Sequence, residues 1–166
     1  MSESLFHLIL ISITRNIYQL KKRNWVIYYK LMNDAELIIH ELKLEPHPEG
    51  GHFVESFKNK EISIIYYLLK QNEKSHWHRL IKNETLHFYK GDPINIFLSE
   101  DGNTFTAVTL GKQNQFHYTV KANTWFAMKS VGKYSLIGCS VAPAFDYEDF
   151  ELAPPDWKPL KFDLDI

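Results

Sequence analysis

The feature that most constrains this chain is a series of short apolar segments, each followed by turn-forming residues. β-branched and aromatic residues are common in these segments, as in strands. The separators QNEK, KGDP, EDGN, GKQN and VGK contain Gly, Asn, Asp or Pro, which form turns. Many short strands at regular spacing predict an all-β sandwich or barrel. The predicted strands are HFVESF (52–57), ISIIYYLL (62–69), SHWHRL (75–80), ETLHFY (84–89), INIFLS (94–99), TFTAVTL (104–110), QFHYTV (115–120), TWFAM (124–128) and YSLIGCSV (134–141).

One short helix is predicted before the strands. Asn33 is a good N-cap residue, and Glu36 lies three positions later, as in a capping box. We expect the helix to run from Asp34 to Leu42, because Pro46 and Pro48 prevent regular structure shortly afterwards. After Leu42 no long helical pattern occurs, and the C-terminal tail predicts at most one helical turn.

The first 31 residues differ from the rest. The apolar run Leu5–Ile13 is too short to span a bilayer. Glu3 precedes it and basic residues follow it, which is the reverse of a secretory signal. We expect residues 1–31 to be a dispensable extension, with a mitochondrial presequence as the alternative. Residues 32–166 then form a single domain, as a length of 166 residues suggests.

Charge and cysteine content exclude several classes of partner. The net charge is -1, so bulk electrostatics do not favour nucleic acid or an anionic membrane. The single cysteine, Cys139, cannot form an internal disulfide, and its apolar surroundings predict a buried thiol. A reducing, cytoplasmic location is therefore expected.

The candidate chemistry lies in one stretch that begins at His76. His76 and His78 are two residues apart on a predicted strand, so both side chains are expected on the same face. Glu84 opens the next strand after a short turn. Two imidazoles and a carboxylate could hold a divalent metal, or could act as acid, base and orienting group.

This stretch resembles the first motif of the cupin superfamily, whose members are small jelly-roll barrels. Here Glu84 stands one residue later than is usual. A narrower resemblance is to a branch of cupins of unknown function that is related in fold to the dTDP-sugar epimerases. It rests on PHPEGGHF (46–53), SHWHR (75–79), NETLHFYKGDP (83–93) and IGCSVAPAFDYEDFELA (137–153).

The resemblance implies that the His and Glu side chains of the motif line the barrel interior. The residues that match the branch are Ser75, His78, Arg79, Glu84, His87, Tyr89 and Gly91. His76 departs from its pattern, as do Leu86 and Ala144. The fourth metal ligand of other cupins is missing, because Trp125 and Phe126 stand where the second motif would supply a histidine.

Six residues form the predicted site. His78 and Glu84 are the expected catalytic pair, acting as one unit. Glu49 either reaches the pocket or belongs to a turn whose glycines explain the motif. Either Tyr66 or Tyr67 must face inward, and we assign the ligand-binding role to Tyr66.

Two further ligand-binding assignments carry their own alternatives. His87 is out of phase with Glu84 on a regular strand, so it binds ligand only if a bulge intervenes. Trp125 either fills the core or stacks on a ligand ring.

Three functions remain open at this stage. The first is an isomerase or epimerase acting on a carbohydrate or a related polar metabolite. The second is a non-catalytic binding or sensing barrel for a small ligand. The third is a metal-dependent oxygenase that uses His76, His78 and Glu84. No cofactor is expected, although a divalent metal is possible, and a homodimer is predicted because jelly-roll sheet edges need covering.

Overall fold

A computed structural model describes residues 33–113 and 115–163 of the chain. The expected dispensable extension, residues 1–31, lies outside this range. Within the described residues, no helix is long and apolar enough to cross a bilayer.

The predicted N-terminal helix is confirmed at both ends. Helix α1 runs from Asp34 to Leu42. The Asn33 side chain caps it by accepting a hydrogen bond of 3.0 Å from the backbone N–H of Glu36. The helix ends where Lys43 takes a positive φ of 56°.

The rest of the described chain is antiparallel β-structure, and every predicted strand is present. A short 3-10 helix, Tyr147–Asp149, supplies the one helical turn expected in the tail. The strands are β1 (Glu45–Pro46), β2 (His52–Lys58), β3 (Ser63–Lys70), β4 (Lys74–Leu80), β5 (Glu84–Gly91), β6 (Ile94–Ser99), β7 (Thr106–Leu110), β8 (His117–Val120), β9 (Trp125–Ser130), β10 (Tyr134–Val141) and β11 (Phe150–Leu152).

The strands form two sheets that enclose the main core, as a jelly roll requires. The six-stranded sheet has the order β1-β2-β3-β10-β5-β8, and the five-stranded sheet has the order β11-β4-β9-β6-β7. Alternate residues of both sheets point into the space between them. Their largest buried members are Tyr67, Leu69, Leu86, Ile94, Ile96, Leu110, Phe126, Met128 and Ile137.

A second apolar cluster covers the opposite face of the five-stranded sheet. Trp77, Phe97 and Ala127 point to this face and pack with Ala153 and Phe162 of the C-terminal segment. The Trp77 and Phe162 rings meet edge to face with their centroids 5.2 Å apart. The C-terminal segment therefore buries the outside of this sheet.

Two irregularities change which side chains face the interior. Between Ser75 and His78, strand β4 contains one more residue than its partner β9. Between Glu55 and Phe57, strand β2 likewise contains one more residue than β3. Because an extra residue reverses the alternation beyond it, Phe57 is exposed and does not share the inner face with Phe53 and Glu55.

Candidate active site

A cavity of about 110 Å³ opens between the two sheets at one end of the barrel. Both sheets contribute to its wall, and loop residues complete it. The polar lining residues are His47, Glu49, Glu55, Lys58, Ser63, His78, Glu84, Cys139 and Tyr147. The apolar lining residues are Pro48, Phe53, Ile65, Leu80, Val141, Phe145 and Phe150.

The loop between β1 and β2 carries Glu49 into this cavity. Gly50 has a φ of 105°, and a Cβ on it would lie 2.3 Å from the carbonyl oxygen of Lys74. The backbone N–H of His76 donates to the carbonyl of Glu49 over 2.7 Å, and the Tyr67 hydroxyl donates to the carbonyl of Gly50 over 2.7 Å. Only glycine permits so close an approach, and the buried Glu49 side chain is its result.

His78 and Glu49 form the central polar pair. The Nε2 atom of His78 lies 3.2 Å from a carboxyl oxygen of Glu49, and both side chains are buried. The Nδ1 atom of His78 lies 2.7 Å from the carbonyl oxygen of His76. Because a carbonyl oxygen can only accept, Nδ1 carries a proton, and the Nε2 lone pair of a neutral ring faces Glu49.

This geometry requires a proton between His78 and Glu49. Burial lowers the pKa of His78 to about 3. Burial, and then the nearby charge of Glu84, raises the pKa of Glu49 well above its ordinary range. Both shifts disfavour charge in the dry interior. The stable form of the pair at neutral pH is therefore a carboxylic acid that donates to a neutral imidazole.

Glu84 lies on β5, in the sheet opposite His78, and lines the same cavity. Burial raises its pKa to about 7, an effect that a hydrogen bond from the Cys139 thiol partly opposes. Burial, and then the charges of Glu84 and Glu49, raise the pKa of that thiol well above its ordinary value. Cys139 is thus a neutral hydrogen-bond donor, while Glu84 titrates near physiological pH.

His47 borders the Glu49 side chain on its other side. The His47 Nδ1 atom accepts from the backbone N–H of Glu49 over 3.3 Å. Its ring packs edge-on against Phe53 and Tyr67, with centroids 4.5 Å and 5.7 Å away. Burial lowers the pKa of His47 to about 4, so the imidazole is neutral and positions the loop.

The prediction that His76 and His78 lie on the same face of their strand is wrong. The extra residue in β4 turns His76 away, and its Nε2 lies 3.0 Å from the carbonyl oxygen of Ala153 and 3.1 Å from that of Pro154. The metal set of His76, His78 and Glu84 is therefore not assembled. Among residues 33–113 and 115–163, no three His, Cys, Asp or Glu side chains group closely enough to hold a metal ion, so these residues do not fit one.

The partner expected for His78 is also different. His78 and Glu84 do line one cavity from opposite sheets, but the carboxyl within reach of the His78 ring is that of Glu49. Glu84 has Cys139 as its hydrogen-bond partner. Glu49 therefore takes the position beside His78 that the sequence had assigned to Glu84.

Two of the predicted ligand-binding residues lie on the outer face of the six-stranded sheet. Tyr66 packs against Tyr89 there, with ring centroids 5.8 Å apart, so the assignment of Tyr66 to the cavity is wrong. Tyr67 is the tyrosine that faces inward. His87 lies 3.0 Å from the hydroxyl of Ser140 on the outer face, as its phase on a regular strand requires.

Trp125 lies on the outer side of the five-stranded sheet. Its ring packs against Trp157 at 4.6 Å, and the Arg79 guanidinium lies 4.5 Å from its centroid. Trp125 therefore does not line the cavity, and its ligand-binding role stays a prediction. Phe126 is the residue that faces inward, and its ring centroid lies 4.0 Å from that of His78.

Sequence reasoning missed the roles of His47, Tyr67 and Cys139. The strongest sequence signal for this part of the site was the PHPEGG segment (46–51). A Gly pair beside a carboxylate indicates a loop backbone that packs closely against its neighbours. Cys139 and Tyr67 carry ordinary strand patterns, and only the paired strands place them beside the two glutamates.

The fold and this interior site define a cupin-type barrel. Residues 36–153 match the family described as the cupin superfamily, DUF985. Because this match spans most of the chain, the protein belongs to that family, and the expected jelly-roll fold is confirmed. No curated protein sequence matches the chain.

The solved structures that are similar to this chain include the following three. A protein from Shewanella oneidensis is 31% identical, with 74% of this chain and 85% of that chain covered and a TM-score of 0.70. A hypothetical protein from Leishmania major is 29% identical, with 75% and 90% covered and a TM-score of 0.67. A dTDP sugar isomerase from Desulfovibrio desulfuricans is 16% identical, with 68% and 80% covered and a TM-score of 0.51, and this likeness concerns the fold alone.

Proposed function

We propose that this protein is an acid–base enzyme of the isomerase or epimerase type that acts on a carbohydrate or a related polar metabolite. The observation that carries the proposal is the pair of proton-transfer groups on opposite walls of one cavity. The Glu49–His78 pair holds one proton on one side, and Glu84, with a pKa of about 7, lies in the opposite sheet. Isomerisation needs one group to remove a proton and another to supply one.

The pKa values favour distinct roles for the two sides. A general base works best when its pKa is close to the working pH, which favours Glu84 as the base. The Glu49–His78 pair keeps its proton at neutral pH and is the acid. The base would take a proton from a hydroxyl-bearing carbon beside a carbonyl while the acid protonates the carbonyl oxygen, giving an enediol. The isomer forms when Glu84 returns its proton to the former carbonyl carbon and the other enediol hydroxyl gives its proton back to the pair. The epimer forms when the first carbon instead takes a proton from water on its opposite face, the former carbonyl oxygen returns its proton to the pair, and Glu84 releases its proton to water.

The cavity limits what can be buried. Its volume of about 110 Å³ is smaller than the ~150 Å³ apolar cavity that holds a benzene ring. A ligand therefore buries at most a fragment of about the size of one small ring, and the remainder lies at the mouth near Lys58 and Tyr147. The similarity in fold to a dTDP sugar isomerase is in keeping with the proposed reaction class but carries no substrate assignment.

A second candidate is a binding barrel without catalysis. The specific observation in its favour is that the two buried cavity carboxyls already have partners, Glu49 with His78 and Glu84 with Cys139. A site that is satisfied in this way can hold a polar ligand without transferring protons. Turnover separates this candidate from the first.

Proton exchange in deuterated water tests the proposal. The protein is incubated with candidate ketoses, aldoses and sugar nucleotides, and NMR follows deuterium entering the carbon next to the carbonyl. We expect Glu84→Gln and Glu49→Gln each to reduce exchange by about 10²-fold or more, the usual contribution of a general acid or base. Glu100→Gln is the matched control, because Glu100 is exposed outside the cavity. Exchange that is unchanged in Glu84→Gln would contradict the assigned roles, whereas binding without any exchange would favour the second candidate.

A further inference from the structure

The charges around the cavity do not balance. Three lining residues are carboxylic acids, Glu49, Glu55 and Glu84, and one is a lysine, Lys58. The two lining imidazoles are neutral, because burial lowers the pKa of His47 to about 4 and that of His78 to about 3. Once Glu84 ionises, negative charge exceeds positive charge in the lining, so a cationic ligand would be favoured.

The two deep carboxyls do not ionise together. Glu49 and Glu84 come from different elements, a loop and β5, and both are buried with 8% of their surface exposed. The charge of Glu84 is one of the causes that raise the pKa of Glu49. Once Glu84 ionises, a positive group near it would replace the hydration that burial removes, which offsets the cost of burying charge.

An aromatic wall lies beside these carboxyls. We use this name for Phe145, Tyr147 and Phe150. The ring centroid of Phe145 lies 5.2 Å from that of Tyr147 and 6.2 Å from that of Phe150, and Phe150 lies 5.6 Å from His78. The wall therefore runs from the exposed Tyr147 to the buried His78. Aromatic faces attract organic cations, most strongly when water is excluded.

Together these observations identify a ligand class. We propose that the natural ligand carries an ammonium group, primary to quaternary, which enters along the aromatic wall and lies near Glu49 and Glu84. An organic cation fits better than a metal ion, because the described residues offer no group of three metal ligands and because aromatic carbon does not coordinate metals. This inference rests on the proposal that the cavity is the functional site, and it narrows the polar metabolite to one that bears an amine.

Choline and its neutral isostere 3,3-dimethylbutan-1-ol provide the test. The two probes have the same shape and differ in charge, because a carbon replaces the nitrogen. Isothermal titration calorimetry is carried out on the full-length protein about one pH unit above the Glu84 pKa of about 7. Choline should bind at least about tenfold more tightly than the alcohol, a difference of ~1.4 kcal/mol. Equal affinity of the two probes, or no choline binding at millimolar concentration, would overturn the proposal.

Substitution of the carboxyls tests where the charge preference arises. In Glu84→Gln, which removes the ionised carboxylate, the preference for choline should fall towards one while the weaker binding of the alcohol stays unchanged. The unchanged alcohol binding reports an intact cavity. Glu100→Gln, an exposed carboxyl elsewhere, should keep the full preference. A preference that survives Glu84→Gln would refute the assigned site.

Binding should also depend on pH, because an ionised Glu84 is needed. Choline affinity is expected to rise as the pH increases through about 7 and to level off above it, while affinity for the alcohol stays flat. Flat choline affinity would count against the proposal. The other titratable groups that line the cavity with Glu84 are His47, Glu49, Glu55, Lys58, His78, Cys139 and Tyr147. The two imidazoles and the thiol stay neutral over this range.

The ammonium-ligand proposal and the acid–base proposal are refuted by different results. Deuterium exchange into a neutral sugar without choline binding would overturn the ammonium proposal and leave the acid–base proposal standing. Choline binding without deuterium exchange in any substrate would overturn the acid–base proposal and leave the ammonium proposal standing.

Discussion

Replacement of Glu84 by glutamine should change how stability depends on pH. The carboxyl has an ordinary pKa of 4.5 in the unfolded chain and a pKa of about 7 when folded, chiefly because of burial. Between these values the folded protein keeps a proton that the unfolded chain loses. The stabilisation from this group is therefore complete below pH 4.5 and is lost as the pH rises through about 7.

The size of the effect follows from the two pKa values. Each pH unit between them is worth ~1.4 kcal/mol, which gives ~3 kcal/mol in total over the interval from 4.5 to about 7. Glutamine has nearly the same shape, stays neutral and can still accept from the Cys139 thiol. Relative to wild type, Glu84→Gln should therefore gain ~3 kcal/mol of unfolding free energy from the acid end to the alkaline end.

Urea unfolding at a series of pH values measures this difference. Subtracting the wild-type curve from the variant curve removes the contribution of the other titrating groups. Glu100→Gln, at an exposed site, should give a difference that hardly varies with pH. Parallel curves for Glu84→Gln and wild type, with a difference that varies by less than ~1 kcal/mol, would refute the burial argument.

Three further predictions concern the loop, the assembly and the N-terminus. Gly50→Ala should destabilise the fold by more than ~2 kcal/mol, because its Cβ would lie 2.3 Å from the Lys74 carbonyl oxygen. Gly102→Ala is the control, because Gly102 also has a positive φ but its Cβ would lie 3.6 Å from Trp157. If urea unfolding gives the same loss of stability for both variants, the predicted clash at Gly50 is contradicted. We propose that the protein is a homodimer through its sheets, so light scattering should give about twice the chain mass, and a species of 19.6 kDa would contradict this. A chain that begins at Met32 should melt at the same temperature as the full chain, and a loss of more than ~10 °C would show that the extension stabilises the domain.

The strands could be predicted from the sequence because strand formation depends on local properties. Alternation, β-branched residues and turn chemistry located all nine predicted strands to within a few residues, and an N-cap located the helix. The outward direction of His87 also followed from simple alternation, since β5 is regular between Glu84 and His87. Each of these depends on residues that are neighbours in sequence.

The phase of β4 was decided by tertiary structure. An extra residue before His78 appears only when β4 pairs with β9. It turns His76 out towards the carbonyls of Ala153 and Pro154 while His78 stays inside. Alternation alone gives both histidines the same direction, so the predicted metal set could not be corrected from the sequence.

The composition of the site was decided in the same way. The sequence named both His78 and Glu49 as site residues, yet it paired His78 with Glu84. Glu49 reaches His78 because Gly50 lets the loop backbone pack against β4, and Glu84 meets Cys139 because β5 pairs with β10. Residue types and strand periods follow from local sequence, whereas contacts between groups far apart in the chain depend on how the sheets pair and how closely the loops pack against them.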